Sequence, residues 1–183
     1  VRTLVLNSDN TTLYVGGSFA TISGQSRRRV AAVNTGDGAI TSFNSDVSGG
    51  PTPSAYSIVL SLDNATLYVS GKFTTVGGQT RNNLAAIDTS TGLATSFNPN
   101  TNDEIHTLAL SSDNTTLYVG GNFTTIEGQT RNYLAAFQNF PPTAPSSLTI
   151  NSVTETTATL SWTDTSSDET SFTIERSTDG ISY

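Results

Sequence analysis

The side chains best suited to binding chemistry recur three times along this chain. Gln and Arg stand two residues apart at Gln25 and Arg27, at Gln79 and Arg81, and at Gln129 and Arg131. Guanidinium groups bind anions through paired hydrogen bonds, so these residues are candidate contacts for an anionic or sugar ligand. The same groups can instead hold loop carbonyls within each repeat. Their recurrence favours this structural role, because a single ligand seldom needs one contact three times.

Three aspartates and one histidine are the other candidates. Asp9, Asp63 and Asp113 are each followed by Asn. Calcium takes six to eight oxygen ligands, which such a pair does not supply, whereas both residue types favour tight turns. His106 has no Ser, Cys or second His beside it in a catalytic arrangement, so it is interpreted as an ordinary strand or rim residue. The sequence therefore predicts no catalytic residue, no metal and no cofactor.

Three copies of one sequence unit position these residues. The triplet Leu-Tyr-Val occurs at residues 13–15, 67–69 and 117–119, and the surrounding register holds without gaps for more than thirty residues. Each copy contains short apolar segments separated by turn residues, which predicts β-strands. In the first copy we expect strands at residues 3–7, 12–16, 30–34 and 41–44. The last of these has a counterpart at residues 95–98.

Four antiparallel strands that are apolar on both faces, repeated at about 50 residues, predict the blade of a β-propeller. The expected fold is all-β, with three four-stranded blades at residues 1–54, 55–104 and 105–137. Propellers close with roughly four to eight blades, so these three are expected to be the C-terminal part of a ring. A β-trefoil is the competing architecture. It ranks lower because its repeats are usually shorter and its sugar-binding Gln-x-Trp signature is missing.

The repeat has a long motif, which at residues 117–136 reads Leu-Tyr-Val-Gly-Gly-x-Phe-Thr-Thr-Ile-x-Gly-Gln-Thr-Arg-Asn-x-Leu-Ala-Ala. It resembles the repeats of large bacterial secreted and surface propeller proteins, similar in style to kelch and galactose-oxidase propellers. The resemblance implies a secreted or cell-envelope location and a binding or scaffolding role. It does not imply oxidase chemistry, because galactose oxidase needs a Cys-Tyr cross-link and His ligands. This chain has no Cys and a single His.

The C-terminal part of the chain has a different character. Residues 138–146 form a proline-rich linker, which is expected to be stiff and extended. Residues 147–183 resemble the N-terminal half of a fibronectin type III module, which is an immunoglobulin-like β-sandwich. Strand A is expected at residues 148–153, strand B at 158–162 with the core Trp162, and strand C at 171–176.

Charge limits the choice of partner. The chain carries 15 acidic and 8 basic residues, a formal net charge of -7. This field repels a phosphate backbone and an anionic membrane surface, so nucleic acid is not expected as a partner. No apolar run approaches the roughly 18 residues of a membrane span, so membrane insertion is not expected either. An extracellular protein or a carbohydrate is the expected partner. Its specificity is expected to come from the connections at residues 45–54 and 99–104, which differ most between copies.

These observations support one leading hypothesis and two alternatives. The leading one is a non-catalytic binding or scaffold segment of a secreted or cell-surface multidomain bacterial protein, with its signal peptide outside this segment. Its role would be adhesion or interaction with carbohydrate or protein. In the second hypothesis, the segment is an accessory region of an extracellular polysaccharide-degrading enzyme whose catalytic domain lies elsewhere. In the third, it is a purely structural repeat of an envelope layer or adhesin stalk.

Overall fold

The computed structural model describes residues 1–138, 146–154 and 156–163, and their regular structure is entirely β-strand. The chain divides into two compact units, Val1–Phe140 and Pro141–Tyr183. Within the described ranges, no helix is long and apolar enough to cross a membrane.

The strands of the first unit follow the sequence repeats. In the first repeat they are β1 (Thr3–Leu6), β2 (Thr12–Gly16), β3 (Thr21–Ile22), β4 (Gln25–Ser26), β5 (Val30–Asn34) and β6 (Val47–Ser48). In the second they are β7 (Ser54–Leu60), β8 (Thr66–Lys72), β9 (Thr75–Val76), β10 (Gln79–Thr80) and β11 (Leu84–Asp88). In the third they are β12 (Ile105–Leu110), β13 (Thr116–Gly121), β14 (Thr125–Ile126), β15 (Gln129–Thr130) and β16 (Leu134–Gln138).

Three antiparallel sheets form the body of this unit. The first sheet has the order β1-β2-β5, the second β7-β8-β11 and the third β12-β13-β16. The Leu-Tyr-Val triplet lies in the central strand of each. The turn before each central strand contains Asn10, Asn64 or Asn114, with φ angles of 61°, 63° and 63°. Asn tolerates this left-handed conformation better than most residues, so the repeated Asp-Asn pair fixes the hairpin.

In the first two expected blades, the fourth strand is reduced to a single bridge. In the first repeat, Ile40 pairs with Val33, one residue before the strand expected at 41–44. The backbone N–H of Phe43 then donates to the hydroxyl of Thr41 at 3.3 Å. This local bond replaces a ladder bond, so the chain leaves the sheet. The strand expected at residues 95–98 is replaced in the same way.

Side chains alternate between two faces of each sheet. We call the face that carries the Leu and Val of the triplet the aliphatic face, and the opposite one the tyrosine face. In the second sheet, Leu67 and Val69 are fully buried on the aliphatic face, and Tyr68 is buried on the tyrosine face. Burial raises the pKa of Tyr68 to about 12, because the ionised phenol would lose its hydration. The second sheet is therefore apolar and covered on both sides.

The tyrosine face of one sheet packs on the aliphatic face of the next. The first core joins the first and second sheets, and it includes Tyr14, Val30, Ala32, Ile58, Leu67, Val69, Ala85 and Ile87. The second core joins the second and third sheets, and it includes Tyr68, Leu84, Ala86, Leu108, Leu117, Val119, Ala135 and Phe137. The same interface therefore occurs twice in this unit.

The connection between two sheets also contacts the hairpin of the next repeat. Strand β6, which follows the first sheet, pairs with β9 of the second repeat. In the next connection, the backbone N–H of Glu127 donates to the carbonyl of Pro99 at 2.7 Å. The connections and the short hairpins β3-β4, β9-β10 and β14-β15 therefore lie at the same end of the sheets, which we call the loop end.

The described part of the second unit is a hairpin. Strand β17 (Ser146–Val153) pairs antiparallel with β18 (Ala158–Thr163), where strands A and B were expected. Leu148 and Ile150 on β17 are exposed. The linker residues 139–145 and the strand expected at 171–176 lie outside the described residues.

Candidate functional site

The structure places each Gln–Arg pair within its own repeat. The guanidinium of Arg27 donates to the carbonyls of Ser26 and Thr41, at 2.9 and 2.8 Å. Arg81 makes the equivalent contacts with the carbonyls of Thr80 and Thr95. These two arginines therefore hold the chain where it leaves the sheet in place of a fourth strand.

The remaining members of the series are more exposed. Arg131 is exposed, and its backbone N–H donates to the carbonyl of Thr124 at 3.0 Å. Gln25 and Gln129 are exposed on β4 and β15, while the side-chain oxygen of Gln79 accepts a bond from Arg81 at 3.0 Å. The six side chains are therefore distributed over three hairpins, and the contacts that Arg27 and Arg81 make lie within their own repeats.

The recurring aspartates cap the hairpin turns. The carboxylates of Asp9, Asp63 and Asp113 accept the backbone N–H two residues later, at 2.9, 3.0 and 3.2 Å. The hydroxyl of Thr11 lowers the pKa of Asp9, and that of Ser111 lowers the pKa of Asp113, because both donate to the charged carboxylate. Among the described residues, no group of three or more acidic, His or Cys side chains could hold a metal ion.

A row of three unlike side chains crosses the sheets at the loop end. Arg2, Tyr56 and His106 occupy the same position in the three repeats. Each directly precedes Thr3 or the residue that is equivalent to Thr3. The guanidinium carbon of Arg2 lies 5.0 Å from the centroid of the Tyr56 ring. The rings of Tyr56 and His106 are stacked, with centroids 5.4 Å apart and planes 18° apart. We call these three residues the axial row.

Tyr56 and His106 lie in β7 and β12, and Arg2 directly precedes β1; these three first strands run side by side. The backbone N–H of Ile58 in β7 donates to the hydroxyl of Thr3 in β1 at 3.4 Å, and that of Leu108 in β12 donates to the hydroxyl of Ser57 at 3.2 Å. These bonds across sheet boundaries align the three first strands. Residues that are one repeat apart in the sequence therefore lie close enough to stack at the loop end.

An ion pair supports the centre of the row. The ammonium of Lys72 lies 2.6 Å from one oxygen of Glu104, and the phenol of Tyr56 donates to the other at 3.1 Å. The bond from Lys72 is the main cause that lowers the pKa of Glu104, and it also raises the pKa of Lys72. Burial, followed by the bond to Glu104, raises the pKa of Tyr56. The Glu104 carboxylate therefore holds the Tyr56 ring in place, and Lys72 balances the charge of that carboxylate.

The outer groups of the row are available to a ligand. Arg2 and His106 are exposed, while Tyr56 and Glu104 are half-buried. An exposed guanidinium and an imidazole beside a fixed aromatic ring can donate hydrogen bonds to carboxylate and hydroxyl oxygens. The arrangement is suited to binding, and Glu104 lies in the connection at 99–104 that was expected to confer specificity.

A concavity lies at the opposite end of the sheets, between the first and second repeats. It has a volume of about 400 Å³, and Thr12, Tyr14, Phe43, Thr89 and Ser90 contribute to its lining. Hydroxyl groups and aromatic rings surround it, and it has no charged side chain in its lining. It is therefore chemically distinct from the axial row.

Comparison with known sequences finds a family match within the third repeat. Residues 112–135, from the turn before β13 to the start of β16, match the family described as a beta-propeller domain of unknown function (DUF5122). This match supports a β-propeller family. No curated protein matches the chain. The matched segment lies within the third repeat, and the all-β architecture of the described residues agrees with it.

Sequence reasoning did not find the axial row. The sequence-based candidates are residues that are identical in all copies, and two of them, Arg27 and Arg81, contact backbone carbonyls of their own repeats. His106 was interpreted as an ordinary strand or rim residue because it stood alone. The usable signal was positional, since Arg2, Tyr56 and His106 are separated by the same spacings as the repeats.

Proposed function

We propose that this chain is a non-catalytic binding and scaffold segment of a secreted or cell-surface multidomain bacterial protein. In this proposal, residues 1–137 are three four-stranded propeller blades in the kelch and galactose-oxidase style. The fourth position of the first two blades is the bridge at Ile40 or Ala94. Residues 147–183 are the N-terminal half of a fibronectin type III-like sandwich, joined by the linker at 138–146. The hairpin of β17 and β18 supplies its strands A and B.

The axial row is the observation that carries the binding function. It brings a cation, a phenol and an imidazole from three separate repeats into one stack at the loop end. Packing the sheets does not require these residue types, because the equivalent positions carry three different side chains. Ordered, partly exposed polar groups that are fixed by an ion pair are typical of a binding surface.

The chemistry of the row favours an acidic carbohydrate as the ligand. Arg2 can donate two parallel hydrogen bonds to a carboxylate, which a neutral sugar lacks. His106 and the ring edge of Tyr56 can contact sugar hydroxyls and apolar sugar carbons. The net charge of -7 opposes the approach of an acidic ligand, so binding of one depends on the local cationic group of Arg2. The resemblance to secreted propeller proteins supports an extracellular setting for this ligand.

Calorimetric titration with two defined oligosaccharides tests this function. We expect tetragalacturonate to bind and cellotetraose to bind at least about tenfold more weakly, a difference of about 1.4 kcal/mol. Both Tyr56→Ala and Arg2→Gln should weaken tetragalacturonate binding by about tenfold or more, because each removes a contact of the stack.

Arg28→Gln is the matched control for that titration. Arg28 is another arginine in the loop-end segment, and its side chain is paired with Asp46 at 3.4 Å. The control should bind as the wild type does. A wild-type chain that binds neither oligosaccharide at millimolar concentration would reject the carbohydrate function, and an equal loss in Arg28→Gln would reject the axial row as its site.

A further inference from the structure

The concavity between the first and second repeats has two walls that carry hydroxyl groups. Thr12, Thr41 and Ser42 belong to one wall, which we call the strand wall. The other is the turn at residues 89–91, which we call the turn wall. The volume of about 400 Å³ lies within the roughly 300–1,000 Å³ of small-molecule sites. Two successive repeats therefore supply a space of the size that a small ligand needs.

Two aromatic rings form the floor of the concavity. Tyr14 and Phe43 are buried, and their rings meet edge to face with centroids 5.4 Å apart. Burial raises the pKa of Tyr14, so the floor carries no charge at neutral pH. At the rim, Ser42, Ser90 and Thr91 are exposed. A ligand that enters from the solvent therefore meets hydroxyl groups first and aromatic rings beneath them.

The hydroxyl groups of the turn wall can accept hydrogen bonds from a ligand. That of Thr89 donates to the carbonyl of Asn64 at 2.7 Å. Those of Ser90 and Thr91 donate to one carboxylate oxygen of Asp88, at 2.6 and 3.0 Å. A hydroxyl has one hydrogen and two lone pairs, so each of the three keeps its acceptor capacity after this bond. The turn wall is therefore a surface of acceptors.

The hydroxyl groups of the strand wall can donate. That of Thr41 accepts the backbone N–H of Phe43 at 3.3 Å, a bond that does not use its own hydrogen. The hydroxyls of Thr12 and Ser42 rotate about their C–O bonds and can donate or accept. A ligand between the two walls can therefore receive hydrogen bonds on one side and give them on the other.

Internal bonds hold both walls in place. In the strand wall, the guanidinium of Arg27 donates to the carbonyl of Thr41 at 2.8 Å. In the turn wall, the Asp88 oxygen that binds the two hydroxyls also accepts the backbone N–H groups of Ser90 and Thr91, at 2.9 and 2.8 Å. Groups that are already ordered lose little conformational entropy when a ligand binds. The concavity is therefore organised for binding.

We propose that this concavity binds a neutral sugar residue. A sugar hydroxyl both donates and accepts, so adjacent hydroxyls of one ring can bond to both walls. The C–H groups of the same ring pack on Tyr14 and Phe43. A charged ligand would find no counter-charge in the lining. Seven of the nine lining residues carry a hydroxyl, so an apolar ligand would leave these groups without a hydrogen-bond partner. The site is separate from the axial row, whose proposed ligand is acidic.

Titration with neutral methyl glycosides tests this site. Amide resonances of the isotope-labelled full chain are followed by NMR while the methyl glycoside of glucose, galactose or mannose is added. We expect at least one to bind with a dissociation constant of about 1–10 mM and to shift the amides of Ser42 and Ser90. The amides of Tyr56 and His106 should stay unshifted. The matching uronic acid glycoside, with a carboxylate in place of the hydroxymethyl group, should bind in the concavity at least about tenfold more weakly.

A double variant removes two hydroxyls of the lining and keeps the shape of both side chains. Thr12→Val with Tyr14→Phe should weaken binding of the neutral glycoside by about fivefold or more. Thr116→Val with Tyr118→Phe is the matched control, because it makes the same changes at the same repeat positions of the third sheet, outside the concavity. It should bind as the wild type does. Thermal melting confirms that each variant is folded, and Ser42→Ala, at an exposed position, replaces the double variant if that is not.

Three outcomes would overturn the proposal. The first is that none of the three neutral glycosides shifts amides of the concavity at about 50 mM. The second is that the uronic acid glycoside binds there as tightly as its neutral counterpart. The third is that the double variant and its control bind alike. Tetragalacturonate binding at the axial row is a separate measurement, so either site can fail while the other holds.

Discussion

Single residues in this protein divide into repeated and varied positions. The repeated Arg27 and Arg81 donate to carbonyls of their own repeat. The varied positions Arg2, Tyr56 and His106 form a partly exposed stack across three repeats. In the first two repeats, the repeated arginine thus has a structural role, which is to hold the chain where it leaves the sheet. A side-chain cluster that occurs at only one place on the surface, such as this stack, forms from positions at which the repeats differ.

Replacing Arg81 should therefore reduce stability. Arg81→Met keeps the apolar stem but removes charged hydrogen bonds to two carbonyls. We expect it to lower the free energy of unfolding by about 1.5–3 kcal/mol, measured by urea denaturation. Arg131→Met, at an exposed position, should change it by no more than about 0.5 kcal/mol. Equal effects of the two substitutions would contradict the structural role assigned to Arg81.

The ion pair of Lys72 and Glu104 should make stability depend on pH. The pKa of Glu104 is lowered by folding, so its contribution is present above about pH 4.3 and is lost as pH falls through the lowered pKa. The pKa of Lys72 is raised, so its contribution is present below about pH 10.4 and is lost as pH rises through the raised pKa.

Comparison with Glu104→Gln isolates this effect. Urea denaturation over a pH series should show the wild type more stable than the variant by a constant amount between these limits. The difference should shrink below about pH 4 and above about pH 10.5. A difference that does not change with pH would mean that Glu104 acts through its shape and hydrogen bonds and not through its charge.

At the scale of elements, the sequence predicts most of the strands. Alternation of apolar residues and the Asp-Asn turns predict β2 and β5 with their observed bounds, and β1 within one residue. The fourth strand could not be predicted in the same way. Phe43 continues an apolar pattern, but its N–H bonds to Thr41 instead of to a neighbouring strand. The pattern of apolar residues predicts which side chains are buried. It does not predict which groups the backbone N–H and C=O groups bond to.

The axial row could not be derived from strand prediction alone. Its ring contacts depend on how closely neighbouring first strands approach, and this distance is set by packing between sheets. Each residue of the row looks ordinary within its own repeat, as His106 did. Aligning the repeats and comparing the positions at which they differ would have placed Arg2, Tyr56 and His106 in one row.

The start of β7 lies so close to the end of β8 that no added atom should be tolerated there. A Cβ on Gly71 would overlap with the carbonyl oxygen of Ser54, which is backbone and has little freedom to move. We expect Gly71→Ala to lower the free energy of unfolding by about 1–3 kcal/mol, measured by urea denaturation. Gly36→Ala, where the new atom would meet only the side chain of Asn34 within 4 Å, should stay within about 0.5 kcal/mol. A neutral Gly71→Ala would show that the start of β7 can shift.

At the scale of the whole molecule, the repeats form a chain of nearest neighbours. Each described core joins two successive sheets. Neither of the two described cores contains residues of both the first and the third sheet. The second sheet contributes to both cores, while the first and third contribute to one each. The stability of such an array is approximately a sum of terms for each repeat and each interface.

Because stability is a sum of such terms, the sheets are expected to open in a definite order. Amide hydrogens of β8 sit between two interfaces, so exchange there requires the loss of both. Those of β2 and β13 need the loss of one, and they should exchange sooner. Closing the row of sheets into a ring would remove this gradient, because a ring has no first or last member. The same three repeats would then change from a unit that frays from its ends into one that melts in a single step.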